Sequence, residues 1–152
     1  FMKELCCNKE IVTLITDKEN SKVPNHTLAY SQVYPYEFVP ETVDNGQTFV
    51  CFDVDIAEVV NKTFYVPVLY VWVFTHKSKM RLSTGGVRTD ILASKINAML
   101  NGSRFYGLGE LDLRQVGRFS PITDYQGRVL TYYAKDFNRS GSKQPPSNRK
   151  NV

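Results

Sequence analysis

Residues 65–77, YVPVLYVWVFTHK, hold nine consecutive apolar or aromatic residues from Val66 to Phe74. Side chains of a strand alternate between its two faces, so a run without polar alternation describes a strand covered on both sides. It is far too short to cross a bilayer as a helix, and no membrane association is expected. Pro67 stands near its start, where the loss of one ladder hydrogen bond is tolerable. Whatever fold the chain adopts must supply two layers of cover to this one strand.

The neighbouring segments supply the sheet around it. In TFVCFDVDI, Val50, Phe52, Val54 and Ile56 share one face, and Cys51, Asp53 and Asp55 share the other. In ELDLRQVGRF, Leu111 and Leu113 face in while Asp112 and Arg114 face out. That segment pairs by pattern with GRVLTYYAKDFN, in which Leu130, Tyr132 and Ala134 point one way and Val129, Thr131 and Tyr133 the other. Both faces of this last strand are unusually apolar or aromatic.

Helical periodicity is clearest in RTDILASKINAMLNG. Ile91, Leu92, Ile96, Met99 and Leu100 form one stripe, Thr89 or Asp90 is placed to cap it, and Gly102 stands where a left-handed residue ends a helix. The opening FMKELCCNKEIVTLIT spaces Met2, Leu5, Cys6, Val12 and Ile15 as a short helix broken or restarted near Asn8. Pro24, Pro35, Pro40 and Gly46 punctuate residues 17–48, which read as an extended arm with few regular elements. The order is helix, arm, two strands, helix, two strands. This predicts an α+β fold: an antiparallel sheet of about four strands, with a main helix on one face, a short N-terminal helix and an extended arm.

Charge divides the chain in two. The net charge of +4 resides entirely in residues 139–152, where Arg139, Lys143, Arg149 and Lys150 meet no acid. Residues 1–138 are therefore neutral overall and are read as one domain, followed by a basic tail expected to be disordered or ordered by a partner. A neutral domain argues against general nucleic-acid binding, which depends on phosphate contacts. No secretory signal is read in the opening residues.

No enzymatic constellation emerges. His76 with Ser78 or Ser83 lacks a nucleophile elbow or oxyanion signature. Asp53 and Asp55 share a face and are candidates for a cation or a carboxylate pair, or are simply solvated. STGGVRTD lacks the lysine and spacing of a P-loop, and the glycines of NGSRFYGLGELD follow a helix rather than open one. Cys6, Cys7 and Cys51 have neither a disulfide pattern nor zinc spacing, so reduced thiols are expected and neither metal nor cofactor is.

The main helix covers one face of the predicted sheet, and the N-terminal helix is too short to cover all of the other. Each large side chain left in water forgoes roughly 1.5–3 kcal/mol, so a second copy of the chain is the expected cover. Tyr34, Tyr36, Phe38, Trp72, Phe74, Tyr132 and Tyr133 are the candidate interface residues.

Taken in order, FVCFDVDI, VLYVWVFTHK, VRTDILASKINAMLNGS, GELDLRQVGRFSPI and YQGRVLTYYAKDFN resemble the tail terminators, or tail-completion proteins, of tailed bacteriophages. The resemblance runs from about Val33 to Asn138. It implies a structural virion protein of the tail or neck, present in the host cytoplasm during assembly. Such proteins form a ring, commonly of six subunits, that caps the tail tube and meets head-completion or connector proteins. DNA would pass through the channel without specific binding, and Asp53 and Asp55 are candidate channel-facing residues. The resemblance leaves room for another neck or tail component, and a small hydrolase or nucleic-acid-binding module is the reading from a different class.

Overall fold

A computed structural model of the chain describes residues 1–17, 28–41, 46–60, 64–134 and 136–137. Helices α1 (Met2–Cys7) and α2 (Lys9–Thr16) precede strands β1 (Val33–Tyr34), β2 (Thr48–Val60) and β3 (Phe64–His76). Helix α3 (Arg88–Leu100) follows, then β4 (Asp112–Phe119), β5 (Tyr125–Tyr133) and β6 (Asp136–Phe137). The fold is α+β, as the periodicities predict.

The strands form one sheet in the order β1-β2-β3-β5-β4, with β6 paired to the start of β3. As its two-sided apolar pattern requires, β3 is central, flanked by antiparallel β2 and β5. Two corrections to the sequence reading concern short elements. Among the described residues the sheet has six strands rather than about four, because β1 and β6, at two residues each, are too short to leave a periodic signal. It is also mixed rather than antiparallel, because β1 runs parallel to β2 through Val33↔Val50 and Tyr34↔Cys51. Where Pro67 faces Ile56 the register slips, and Ala57 is the extra residue of a bulge. The proline carbonyl still accepts from the Ala134 N–H at 3.0 Å.

All three helices pack on one face. Leu5, Ile11 and Ile15 of the N-terminal pair meet Leu92, Ile96 and Leu100 of α3 over a floor of Val50, Leu69, Val71, Val73, Leu130 and Tyr132. The Tyr132 hydroxyl donates to Asn97 Oδ1 at 3.1 Å, so this polar tip in the layer is satisfied. Asn8 separates α1 from α2, and its side chain accepts from the N–H groups of Glu10 and Ile11. That is why the helix restarts there. The predicted cap of α3 is different: Val87 occupies the cap position without a side-chain bond, and Thr89 and Asp90 lie inside the first turn. Asp90 is engaged elsewhere, accepting from Arg128 Nε at 2.6 Å and so pinning the helix start to β5. The predicted left-handed stop at Gly102 also differs: extended Asn101 ends the helix, and Gly102, with φ +77°, sits in the turn that follows, which Ser103 N–H closes onto Leu100 O at 2.9 Å.

STGGVRTD contains an unforeseen anchor. Arg88 is buried, and its guanidinium donates through Nε to Lys79 O (2.7 Å) and through Nη1 to Leu14 O (2.6 Å). Its third arm pairs with Asp17, the left-handed residue that ends α2. One side chain thus ties α2, the turn at 77–79 and the start of α3 together. Hydrogen bonds from Lys79 and then Arg88 hold the Asp17 carboxyl below its ordinary range.

The second face is partly covered by the chain itself, not by the N-terminal helix. After β1 the arm folds over the sheet, stacking Phe38 on Tyr34 with ring centroids 4.1 Å apart. Beneath them lie Phe49, Cys51, Phe74 and Tyr125, with Trp72, Phe119 and Ile122 at the margin. Gly127 pairs with Phe74 on one side and Phe119 on the other, and the two rings meet across it at 5.5 Å. A Cβ at Gly127 would lie 1.8 Å from the Val73 carbonyl oxygen, a backbone atom that cannot swing aside.

Two outcomes follow for stability. Gly127→Ala forces β5 away from β3 and is expected to lower unfolding free energy by about 2 kcal/mol or more in urea titration; a change under about 0.5 kcal/mol contradicts the close approach. Asp17 has a folded pKa below its unfolded value of about 3.9, so its contribution is complete above that value and is lost as pH falls through the folded one. Asp17→Asn is therefore expected to be less stable than the parent at neutral pH, with the gap narrowing below about pH 4. A gap independent of pH would contradict the pairing.

Candidate assembly surfaces

Beyond Cys51 the environment of β2 changes. Its partner β1 ends opposite Cys51, and from Phe52 onward the outer edge of β2 has no strand beside it among the described residues. Residues 53–59 are exposed on both faces. Val54 and Ile56 continue the row of Val50 and Phe52, but helices cover only the first part of that row, leaving Ile56 55% exposed. The outward N–H groups of Val54 and Ile56 are taken by the side chains just before them: Asp53 Oδ1 at 2.8 Å and Asp55 Oδ1 at 2.7 Å. These carboxylates satisfy amides that would otherwise await a neighbouring strand.

Next to this edge lies a groove of about 340 Å³ lined by Phe1, Phe52, Val54, Leu69, Phe105, Tyr106 and Leu108. Phe1 packs edge-on against Phe52 (4.6 Å) and Tyr106 (5.7 Å). The Tyr106 hydroxyl donates to the Glu4 carboxylate; burial, with that carboxylate beside it, pushes the tyrosine up to about 12. Phe105, at the rim, is 90% exposed. Sequence reasoning missed Phe105, because the aromatic pair Phe105-Tyr106 in a glycine-rich loop has no periodicity to reveal which ring points outward.

The predicted interface residues divide by burial. Phe74 and Tyr132 have no exposed surface and belong to the two cores, and Tyr34 is nearly as buried. Phe38 is half-buried against Tyr34. Trp72 and Tyr133 are half-buried on the second face, and Tyr36 is exposed. Asp53 and Asp55 both stand on the outer part of β2.

The structure does bring His76 and Ser78 together, Nδ1 to Oγ at 2.8 Å. The same Nδ1 accepts from the Ser78 N–H, so the pair caps the short turn at 77–79. No carboxylate orients the ring among the described residues; Tyr125 lies edge-on to it at 5.4 Å. Cys51 is buried, which pushes its thiol up to about 12 and keeps it protonated. Among the described residues no three His, Cys, Asp or Glu side chains converge as a metal site. No helix is long and apolar enough to cross a membrane, again among the described residues.

The sequence profile of the YomW family matches residues 8–134, from the cap of α2 to the residue after β5. The chain belongs to the YomW family. This is a phage-associated family, and the assignment places the protein in a phage context without specifying a tail terminator. No curated protein matches the chain. The family match spans α2, α3, strands β1 to β5 and the open edge of β2, while α1 with Leu5 of the core, Phe1 of the groove, and β6 lie outside it.

Two isoleucines on the same face of this YomW-family fold give opposite expectations. Ile96→Asp places an unpaired carboxylate in the helix–sheet core and is expected to abolish cooperative unfolding. Ile56→Asp, on the exposed extension, is expected to change the melting temperature of the isolated subunit by no more than about 2–4 °C. Comparable losses for the two would contradict the exposure of the outer hairpin.

Proposed function

We propose that this protein is a structural component of a phage particle, working as a closed ring of identical subunits at the neck. There it caps the tail tube, ends its polymerisation and joins it to head-side connector or completion proteins. The observation that carries this reading is the unfinished sheet of a phage-family subunit. Its core is complete on the helix side, yet β2 runs on for seven residues, 53–59, exposed on both faces. An open strand edge with apolar residues on it is a liability in a lone protein and an asset in an assembly. A head-to-tail ring uses two different surfaces of each subunit and leaves no end exposed.

The half-buried Trp72 and Tyr133 and the exposed Tyr36 supply a second surface, on the opposite side of the sheet from the helices, for a tube or connector protein. The basic residues of 139–152 supply charge for the same purpose. A tube subunit or head-completion protein would require the same unfinished sheet, so position along the particle distinguishes these readings.

Negative-stain microscopy of the purified protein, alone and mixed with tail tubes, tests the proposal. Rings, and tubes closed at one end, are expected. Monomers that leave tube length unrestricted would overturn it, whereas rings located away from the tube end would favour a different neck component.

A further inference from the structure

β2 is not the only open edge. β4 closes the other side of the sheet with β5 alone as its neighbour. Its N–H at Leu113 is occupied by Asn101 Oδ1 at 3.0 Å, but no strand accompanies residues 114–119 on the outer side among the described residues. The two edges differ in charge. The open part of β2 carries Asp53, Asp55 and Glu58, all exposed, and no cation among residues 52–60. β4 carries Arg114 and Arg118, both exposed, against one acid, Asp112, which Arg114 already meets at 3.0 Å.

The two edges also run in opposite directions. β2 and β3, β3 and β5, and β5 and β4 are each antiparallel, so β2 and β4 point opposite ways. A copy displaced sideways, without being turned over, therefore sets its β2 antiparallel to the β4 of its neighbour. Apolar positions match as well. Val116 pairs with Leu130, Leu130 with Val71, and Val71 with Phe52, so Val116 lies on the same face of the sheet as Val54 and Ile56. Val116, Val54 and Ile56 are all exposed in the lone subunit. Joining the edges would extend one apolar row from subunit to subunit.

We propose that the open edge of β2, residues 52–59, pairs with the open edge of β4, residues 114–119, in a second copy of this chain, making the sheet continuous across the seam. This deepens the ring reading and rests on it. Backbone pairing supplies the bulk of the contact, and charge selects the partner edge. Two copies of β2 would oppose aspartates to aspartates, and two copies of β4 arginines to arginines, so symmetric pairings are disfavoured. In the lone subunit Asp53 and Asp55 occupy the N–H groups of Val54 and Ile56. On docking they release them to the carbonyls of the incoming strand, and the acidic edge of one copy comes to lie along the basic edge of the next. The aspartates therefore lie at the seam between subunits, a different place from the open channel wall that the family resemblance implies for them.

Charge exchange tests the pairing, with circular dichroism confirming that each variant is folded. The doubly substituted Asp53→Lys/Asp55→Lys and Arg114→Glu/Arg118→Glu proteins are each expected to weaken self-association in mass photometry by at least about tenfold. An equimolar mixture of the two is expected to regain assemblies larger than dimers, because each altered edge then finds its complement. Rings that form normally in both variants would overturn this seam while leaving the ring itself standing. A wild-type protein that remains monomeric at micromolar concentration would overturn both, and a wild-type dimer that grows no further would replace the head-to-tail seam by a symmetric one.

Discussion

The structure depends on the need of β3 to be covered on two sides. A strand with Val68, Val71, Val73 and Phe74 all inaccessible to water imposes a three-layer arrangement, and the described residues offer it three short α-helices. Those helices all go to one side, where α2 and α3 pack together and Arg88 locks their ends. Among the described residues the other side receives no helix. The arm that follows β1 lays Tyr34 and Phe38 over Phe49 and Phe74, burying one end of the face with side chains large enough to do so from an irregular backbone.

Cover by an arm is local, and its limits define the exposed surfaces. Past Phe52, among the described residues, neither the helices nor the arm follows β2 outward, so the strand leaves the core while still paired to β3. The bulge at Ala57 opposite Pro67 falls within this departing half, where an extra residue and a missing N–H disturb no buried packing. The aspartates that alternate with Val54 and Ile56 leave the lone edge hydrogen-bonded and charged, which discourages indiscriminate strand pairing. A subunit built in this way can be soluble alone and still carry a directional contact.

Much of this was legible in the sequence. The two-sided run from Val66 to Phe74 identified the central strand, the stripe of α3 identified the helical layer, and Asn8 marked the helix break, because each involves regular spacing or a local hydrogen bond. The opposed faces of β5 were read correctly for the same reason. What escaped notice depends on contacts distant in sequence. Arg88 resembles any charged residue after a glycine pair until Leu14 and Lys79 are brought to it. Phe74 and Tyr132 look like interface aromatics until the arm and Asn97 enclose them. The parallel pairing of β1 involves two residues and has no periodicity. The alternation of Val50, Phe52, Val54 and Ile56 was recognised, but only the fold shows where along that row the helical cover stops.

The central claim is that the outer half of β2 is an unfinished edge completed by another copy. Hydrogen–deuterium exchange of the amides from Val54 to Val59 and from Gln115 to Phe119, followed across protein concentration, addresses it most directly. The outward-facing amides of both segments are predicted to exchange rapidly in dilute protein and to become protected together as concentration rises, while the amides of β3 are slow throughout. Equal and rapid exchange of both segments at every concentration, in a protein otherwise fully folded, would contradict it.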